Sequence, residues 1–485
     1  MKKLSILSLS LLLAACSLNP TYEQPQAPVP AEYKGSSSEL PAGLLSGADL
    51  GWEEVIQEPR LRALIGLALE NNRDMLIAIQ RVEEARALYG IQRSDLLPHI
   101  GANAEQSAQR LPRDMRLPGQ DSISRTYTAG LGVTAFELDF WGRKRSLSEA
   151  AFEQYLATDE ARKSMHLGLI AQVSSTYFAW RTAQSSQDLA SRTIDAYQRS
   201  YDLVERRFQA GVASGLERNQ ARTTLEGAKA ALAAADRQVQ LASNALDVLI
   251  GQPQPATLPA PTAFGSDNVI SDIPAGVSST LLVRRPDIIA AEHRLKSANA
   301  QIGAARAAFF PTISLTGLFG TISPQFSGLF DRQTETWSFS PSLTVPIFTA
   351  GALRNSLDLA EVRKEIAVLE YEKTIQDAFR EVSDALAGEQ SYSAQLDALR
   401  EQQSAAYNSL NLSEQRYEAG IDSFLQVQQA QINLFNIQQN FLQVGLESLQ
   451  NRLELYKALG GGWTATTVTT DTLQAAQAET EESIN

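Results

Sequence analysis

The chain has 485 residues, which is long enough for more than one domain-sized core. Its 55 acidic residues outnumber its 42 basic residues, giving a net charge of −13. This balance argues against a nucleic-acid-binding protein, because binding to a phosphate backbone requires a basic surface. The 44% of hydrophobic residues is typical of a folded protein.

The first 15 residues predict a cleaved signal peptide. Lys2 and Lys3 precede an apolar core at 6–13 that is too short to cross a bilayer as a helix. The following cysteine, Cys16, is the only one in the sequence, so it cannot form an intramolecular disulfide. The sequence LAAC that ends at this cysteine is similar to a bacterial lipobox, which implies a lipidated amino terminus in the outer membrane. A buried free thiol is the alternative.

Both ends of the mature chain differ in composition from its middle. Residues 16–60 contain several prolines and predict a lipidated, irregular N-terminal segment. Residues 463–485 are rich in Thr, Gln and Glu and predict a polar, disordered tail. No stretch after the signal peptide reaches the ~18 continuous apolar residues of a transmembrane helix, so any spanning part must be a β-barrel.

Residues 61–251 predict a first structural unit of helix, β-hairpin, long helix and helix. Period-two alternation of apolar and polar residues places the hairpin at 98–140. A proline-free stretch then allows one helix from about Arg143 to Phe208, in which ~65 residues reach roughly 100 Å. Apolar residues at alternating three- and four-residue steps predict a coiled-coil seam in this region, with a turn at Gly211.

Residues 281–462 predict the same order of elements after a proline-rich linker at 252–280. Here the hairpin is expected at 311–347, the long helix from about 353 to 417, and the turn at Gly420. Two glycine pairs match at an offset of 209 residues and one proline pair at 213, which indicates an internal duplication. The pairs are Gly142 and Gly351, Gly211 and Gly420, and Pro98 and Pro311.

Four amphipathic strands per chain cannot close a barrel alone. An open edge in lipid would leave backbone groups without hydrogen bonds, at several kcal/mol each. Two copies would give eight strands, whose interior is filled by side chains, whereas three copies would give twelve strands and a lumen. The sequence therefore predicts a trimer that conducts.

Six stretches of the sequence carry a family resemblance, and they run through nearly the whole mature chain. They are LALENNRDMLIA (67–78), ELDFWGRKRS (137–146), FEQYLAT (152–158), the run from RRPD to ISLT (284–316), PIFTAGALR (346–354) and YKALGGGW (456–463). In these stretches the sequence resembles the TolC-like outer-membrane factors of tripartite efflux systems, most closely the OprM branch.

The resemblance implies a mixed, mainly α-helical fold. It implies a trimeric, twelve-stranded transmembrane β-barrel with four strands per chain, continuous with a long periplasmic α-helical barrel and an equatorial domain. The implied partners are two further copies, a periplasmic adaptor protein, a proton-driven inner-membrane pump of the RND type and outer-membrane lipid. The implied role is an exit duct for small toxic compounds in a Gram-negative bacterium.

A conduit is regulated at its gate, and the resemblance places the gate at the two helix–turn–helix elements. Ile421 and Leu425 lie one helical turn apart and are expected to form apolar constrictions, since apolar rings gate by dewetting. Three copies of Glu217 or of Asp422 would form a negative ring instead. The alternative is that Asp422 is a turn residue or helix cap and that Glu217 interacts with the dipole of its own helix. The remaining candidate gate residues are Val212, Glu217, Asp422, Gln426 and Gln429.

The sequence does not favour an enzyme. Its three histidines, His99, His166 and His293, have no metal-ligand spacing, and no nucleophile elbow or phosphate loop occurs. No cofactor or metal site is therefore expected, apart from the lipid on Cys16. Two alternatives remain open: an outer-membrane conduit for protein secretion, and a periplasmic coiled-coil lipoprotein that acts as a scaffold.

Overall fold

The computed structural model describes residues 18–30, 33, 49–116, 118, 121–262, 265, 268–270 and 284–462. The predicted signal peptide, Cys16 and the tail from residue 463 lie outside the described residues. The expectation of a mixed, mainly α-helical fold is confirmed, and the described residues contain the four expected strands. None of the helices in the described part of the chain combines the length and apolar character needed to cross a bilayer.

In the described residues, five elements of the first half of the chain recur in the same order in the second half. The elements of the first half are α1 (Trp52–Val55), α2 (Pro59–Asn71), α3 (Arg73–Ser94), β1 (Ile100–Arg110), β2 (Ile123–Leu138), α4 (Arg143–Gln209) and α5 (Gly215–Leu249). In the second half they are α6 (Pro286–Ala307), β3 (Thr312–Ser323), β4 (Glu335–Thr344), α7 (Ala352–Glu418) and α8 (Phe424–Ala458). The five elements from α3 to α5 recur as α6 to α8. The segment expected to be irregular up to residue 60 thus contains α1 and the start of α2.

The chain divides into two compact units. Unit 1 comprises Met1–Gln26, Arg81–Asp159 and Ala290–Glu372, and it contains the sheet. Unit 2 comprises Ala27–Gln80, Glu160–Ile289 and Lys373–Asn485, and it contains both helix–turn–helix elements.

The sheet of unit 1 has four antiparallel strands in sequence order, β1-β2-β3-β4. Its two hairpins come one from each half of the chain, and β2 pairs with β3 across the halves. A bulge between Val133 and Phe136 interrupts that pairing. Within the described residues, β1 and β4 each pair on one side only, so both edges of the sheet keep free backbone donors and acceptors.

The pairing of β2 with β3 depends on glycines that face each other. Gly130 is directly opposite Gly320. A Cβ atom on Gly130 would lie 2.6 Å from the Phe319 carbonyl oxygen, and one on Gly320 would overlap the Ala129 carbonyl. The two strands therefore approach more closely than any side chain at these positions would permit.

The two long helices, α4 and α7, each have 67 residues and are bounded by glycines with a positive φ. Glycine is the residue that adopts this backbone conformation without steric strain. The glycines recur at the same positions in the two halves, each pair 209 residues apart. The pairs are Gly142 and Gly351, Gly211 and Gly420, and Gly251 and Gly460, the last of which the sequence analysis missed.

In unit 2, the linker between the halves is held by a buried carboxylate. Glu58, which is fully buried, accepts hydrogen bonds from the Tyr177 hydroxyl at 3.0 Å, from the Thr262 backbone N–H at 3.2 Å and from the Asn268 amide at 3.1 Å. A further bond comes from the Thr262 hydroxyl. A buried carboxylate is stable only when hydrogen bonds replace its hydration, so these contacts fix the described linker residues in place.

The motif RRPD (284–287) lies at the start of α6, with Pro286 as the first helical residue. Arg285 is buried and donates to Asp287 at 2.6 Å, to Glu381 at 2.8 Å and to the Ala458 carbonyl at 2.9 Å. The guanidinium therefore connects the start of α6 to α7 and to the end of α8.

Candidate functional site

The candidate gate consists of two turns in unit 2, one between α4 and α5 and one between α7 and α8. Both have the same backbone. Gly211 and Gly420 have φ +74°, and the residue after each donates to a carbonyl five positions earlier: Val212 to Arg207 at 2.8 Å and Ile421 to Arg416 at 2.9 Å. This is a Schellman ending, which uses a glycine to satisfy the last carbonyls of a helix.

The two turns share one hydrophobic cluster. Its buried members come from all four helices, and Tyr417 and Phe424 form its aromatic centre, with ring centroids 5.5 Å apart in an edge-on arrangement. The members are Val204, Ala221, Tyr417, Phe424 and Val427. Because the cluster crosses between the two helix–turn–helix elements, it couples the position of one turn to that of the other.

Arg207 adds a polar link between the same turns. Its guanidinium lies over the Tyr417 ring, 4.6 Å from the centroid, and Nη1 donates to the Tyr417 carbonyl at 3.3 Å. Burial raises the pKa of the Tyr417 hydroxyl, which has no hydrogen-bond partner among the described residues. The ring of Tyr417 is thus in contact with both the Arg207 guanidinium and the Phe424 ring.

The first turn is closed by a capping box. The Ser214 hydroxyl accepts from the Glu217 backbone N–H at 3.2 Å, and the Glu217 carboxylate accepts from the Ser214 backbone N–H at 2.8 Å. Reciprocal bonds of this kind satisfy two of the unpaired donors at the start of a helix. Glu217, a candidate for an acidic ring, is therefore engaged by its own turn.

The second turn is closed by an ion pair instead. Arg416 donates to both carboxylate oxygens of Asp422, at 2.6 and 3.1 Å. The hydrogen bond from Arg416 is the main cause that holds the pKa of Asp422 below its usual value. Ser423, at the start of α8, makes no side-chain capping bond. The negative charge of Asp422 is therefore balanced by the Arg416 guanidinium of the same chain.

The apolar candidates lie on the outside of both turns. Val212 is 67% exposed, Ile421 is 63% exposed and Leu425 is 41% exposed. Leu216, which the sequence analysis did not single out, is 67% exposed and stands 209 residues before Leu425. Each turn thus presents a matched pair of exposed apolar side chains, and both pairs are free to face a second copy. Gln426 and Gln429 are exposed beside them.

Sequence reasoning located the turns but missed the residues that join them. The pair Ser214 and Glu217 fits the S-x-x-E signature of a capping box, so that contact was readable from the sequence. Nothing in the sequence indicated that Arg207 would contact Tyr417, 210 residues away. Among the residues that the structure describes, no three His, Cys, Asp or Glu side chains are grouped as metal ligands.

The model of the outer membrane efflux protein family matches residues 64–252 and 277–461. The break between the two matched stretches falls in the linker between the two halves. The matched residues include both turns, the whole sheet and all of the long helices.

Individual proteins match over nearly their full length. The toluene efflux pump outer membrane protein TtgC of Pseudomonas putida is 43% identical over 464 residues, which cover 95% of this chain and 96% of that protein. Outer membrane protein OprJ of Pseudomonas aeruginosa is 41% identical over 459 residues, 95% of either chain. The open state of the Neisseria gonorrhoeae MtrE outer membrane channel is 39% identical with a TM-score of 0.84, covering 94% of this chain and all of that one.

Proposed function

The chain belongs to the outer membrane efflux protein family, and we propose that it is the outer-membrane exit duct of a tripartite efflux system. In this role it passively conducts small toxic compounds from a periplasmic pump–adaptor complex to the outside of a Gram-negative cell. Conduction of this kind requires no catalysis. The observation that carries the proposal is the full-length similarity to proteins named for efflux, together with a sheet whose two edges have no strand partner in the part of the chain that the structure describes.

The duct would be a homotrimer. The free edges of β1 and β4 support this, because two further copies would pair every edge and complete twelve strands. An apolar stripe on the first part of α7 also supports it. Leu359, Val362, Ile366 and Leu369 recur at three- and four-residue steps, and all four are exposed. A continuous apolar stripe on a helix is typical of a surface that another chain covers.

Small compounds are favoured over secreted proteins as the cargo. The relatives of this chain include proteins named for the efflux of toluene and of solvents. A coiled-coil scaffold is not favoured, because a scaffold has no use for a four-stranded sheet with two open edges. A tripartite efflux role requires a periplasmic adaptor protein and an inner-membrane pump. We propose an RND-type pump as the latter partner.

The gate would be an apolar constriction at the two turns. The exposed pairs Val212 with Leu216 and Ile421 with Leu425 support this. The acids support an acidic ring less well, because Glu217 caps its own helix and Asp422 is paired with Arg416. In a trimer, six apolar pairs around one axis would close the tip by excluding water.

The duct function is tested with the full-length protein purified in detergent. Size measurements are expected to give three chains per particle, and planar bilayers are expected to show discrete conductance steps. A deletion strain is expected to become sensitive to solvents and antibiotics and to recover with the intact gene. A monomer without conductance would contradict the duct, and a lost secreted protein with unchanged drug sensitivity would favour secretion.

The gate is tested by exchanging Ile421 and Leu425 together for alanine. Single-channel conductance is expected to rise, since smaller side chains admit water to the constriction. The matched control is Leu412→Ala, an exposed leucine of α7 away from the turn, which is expected to conduct as the unaltered protein does. Equal conductance of both variants would place the gate elsewhere.

The lipid anchor on Cys16 also belongs to this proposal. The variant Cys16→Ser is expected to lose the lipid, as measured by intact mass, yet still to form the trimer, because the shared sheet holds the copies in the membrane. Failure of this variant to trimerise would make the lipid a requirement for assembly.

A further inference from the structure

The segment at residues 18–26, called the strap below, has neither helix nor strand but makes a series of hydrogen bonds in unit 1. It begins two residues after Cys16 and lies outside both stretches that match the family. Its partners come from both halves of the chain: from α4 of the first half, and from α6 and α7 of the second.

Asn19 makes the closest of these contacts. Its amide nitrogen donates to the Glu149 carboxylate at 2.6 Å, and its amide oxygen accepts from the Ser146 hydroxyl at 2.6 Å. Both partners lie in the first two turns of α4, and Ser146 is almost fully buried. One side chain therefore uses both its donor and its acceptor on the helix that follows β2.

The rest of the strap binds the second half. The Asn299 amide donates to the Pro20 carbonyl at 2.7 Å, and the Tyr22 hydroxyl donates to Glu292 at 3.1 Å. Gln24 donates to the Tyr371 hydroxyl at 3.0 Å. Tyr371 is fully buried and Asn299 nearly so. The strap is thus fixed at four successive points. Its partners Ser146, Asn299 and Tyr371 are buried, Glu292 is half-buried and Glu149 is exposed.

Gly303 explains why the strap fits. It lies within α6, where glycine is less favourable than alanine. A Cβ atom at this position would occupy the space taken by the side chain and backbone nitrogen of Asn19. At the 213-residue offset that matches Pro98 with Pro311, its counterpart in the first half is Gly90. Gly90 lies within α3 and has nothing within 4 Å of the equivalent Cβ. Of these two glycines, only Gly303 has a neighbour in the space that a side chain would occupy.

We propose that the strap holds α4 of the first half against α6 and α7 of the second, and that Gly303 leaves the space that Asn19 occupies. The strap, independently of any lipid on Cys16, then joins the amino terminus to the body of unit 1. Asn19 is a positioning residue in this arrangement.

The test compares Gly303→Ala with Gly90→Ala in the full-length protein, purified in detergent. Two measurements are made: the midpoint of thermal unfolding, and the rate at which a glutamate-specific protease cuts after the exposed Glu23 and leaves a chain that begins at Gln24. Gly303→Ala is expected to lower the midpoint by a few degrees and to accelerate the cut by about ten-fold or more, because a displaced strap is open to the protease. Gly90→Ala is expected neither to lower the unfolding midpoint nor to accelerate the cut.

Equal behaviour of the two alanine variants would overturn the proposal. If Gly303→Ala does not fold, Asn19→Ala tests the proposal instead. Asn19→Ala removes the two hydrogen bonds to α4 without crowding α6. It is expected to accelerate the same cut, and cutting at the unaltered rate would also overturn the proposal. In the double variant, loss of the Asn19 side chain is expected to relieve part of the Gly303→Ala defect. Repeating the series with Cys16→Ser separates the strap from the lipid.

Discussion

The two turns of the candidate gate have the same backbone and different side-chain contacts. Positions 209 residues apart correspond, so Arg207 corresponds to Arg416 and Ala213 to Asp422. With no acid in its own turn, Arg207 reaches across to the ring and carbonyl of Tyr417. With Asp422 in its turn, Arg416 stays within it. One acidic residue thus decides whether an arginine closes its own turn or joins the two turns.

The residues of the shared hydrophobic cluster also differ between corresponding positions of the two turns. Phe424, which is fully buried in the shared cluster, corresponds to Gly215. Tyr417 corresponds to Phe208, whose ring lies 4.4 Å from the Arg218 guanidinium carbon. The second turn therefore supplies the aromatic core, and the first turn supplies the cation that covers it. The two duplicated helix–turn–helix elements therefore contribute different, complementary side chains to one cluster.

The largest expected effect comes from removing the aromatic core. Phe424→Ala would leave a cavity between the four helices and is expected to destabilise them by about 3–5 kcal/mol. Thermal unfolding followed by far-ultraviolet circular dichroism measures the change. Leu425→Ala, at the exposed neighbouring position, is the control and is expected to have little effect on stability. Equal shifts would mean that the turns are not held through Phe424.

The next effect distinguishes the two arginines. Arg207→Leu is expected to destabilise the joined turns by about 1–2 kcal/mol, because it removes a contact with an aromatic face and a hydrogen bond. It is also expected to raise single-channel conductance in planar bilayers. Arg416→Leu, which opens only its own turn, is expected to raise conductance less. If Arg416→Leu had the larger effect, the assignment of the joining role would be wrong.

Tyr417→Phe refines the prediction for Arg207. The exchange keeps the ring and removes a buried hydroxyl that has no partner among the described residues. Stability is expected to stay the same or to increase. A loss of stability in the trimer would show that the hydroxyl binds a group on a neighbouring copy.

The two serines before α5 and α8 give a smaller contrast. Ser214→Ala breaks a capping box and is expected to cost about 1 kcal/mol, whereas Ser423→Ala removes no capping bond and is expected to change stability by less than about 0.5 kcal/mol. Hydrogen exchange in the first turn of each helix measures the difference. Similar protection losses in the two helices would remove this distinction between the turns.

The smallest effect is the response of the second turn to acid. The Arg416 guanidinium lowers the pKa of Asp422 in the folded protein, so the ion pair stabilises the turn above the usual aspartate pKa of about 3.9 and is lost as the pH falls through the lowered value. Hydrogen exchange at residues 419–423 is expected to accelerate only in that acidic range. Asp422→Asn is expected to abolish this pH dependence, and an unchanged profile would exclude the pair as its source.

The sequence allowed prediction of the elements better than of their contacts. Proline-free stretches and paired glycines located the long helices and both turns, because proline and glycine act on the backbone locally. The contact of Arg207 with Tyr417, and that of Asn19 with Gly303, depend on which surfaces the folded chain brings together. Asp422 shows the limit most clearly: its sequence position suited either an acidic ring or a turn, and only its distance from Arg416 shows its partner.

The glycines at the centre of the sheet have a practical consequence for anyone who attaches probes to this protein. Spin labels, fluorophores and cross-linkers are introduced through a new side chain, usually a cysteine, and Gly130 and Gly320 have no volume in which to place one. Probes there would report on a damaged sheet. The outer strands, β1 and β4, offer many exposed positions, so distances between strands of the proposed trimer are best measured from these two strands.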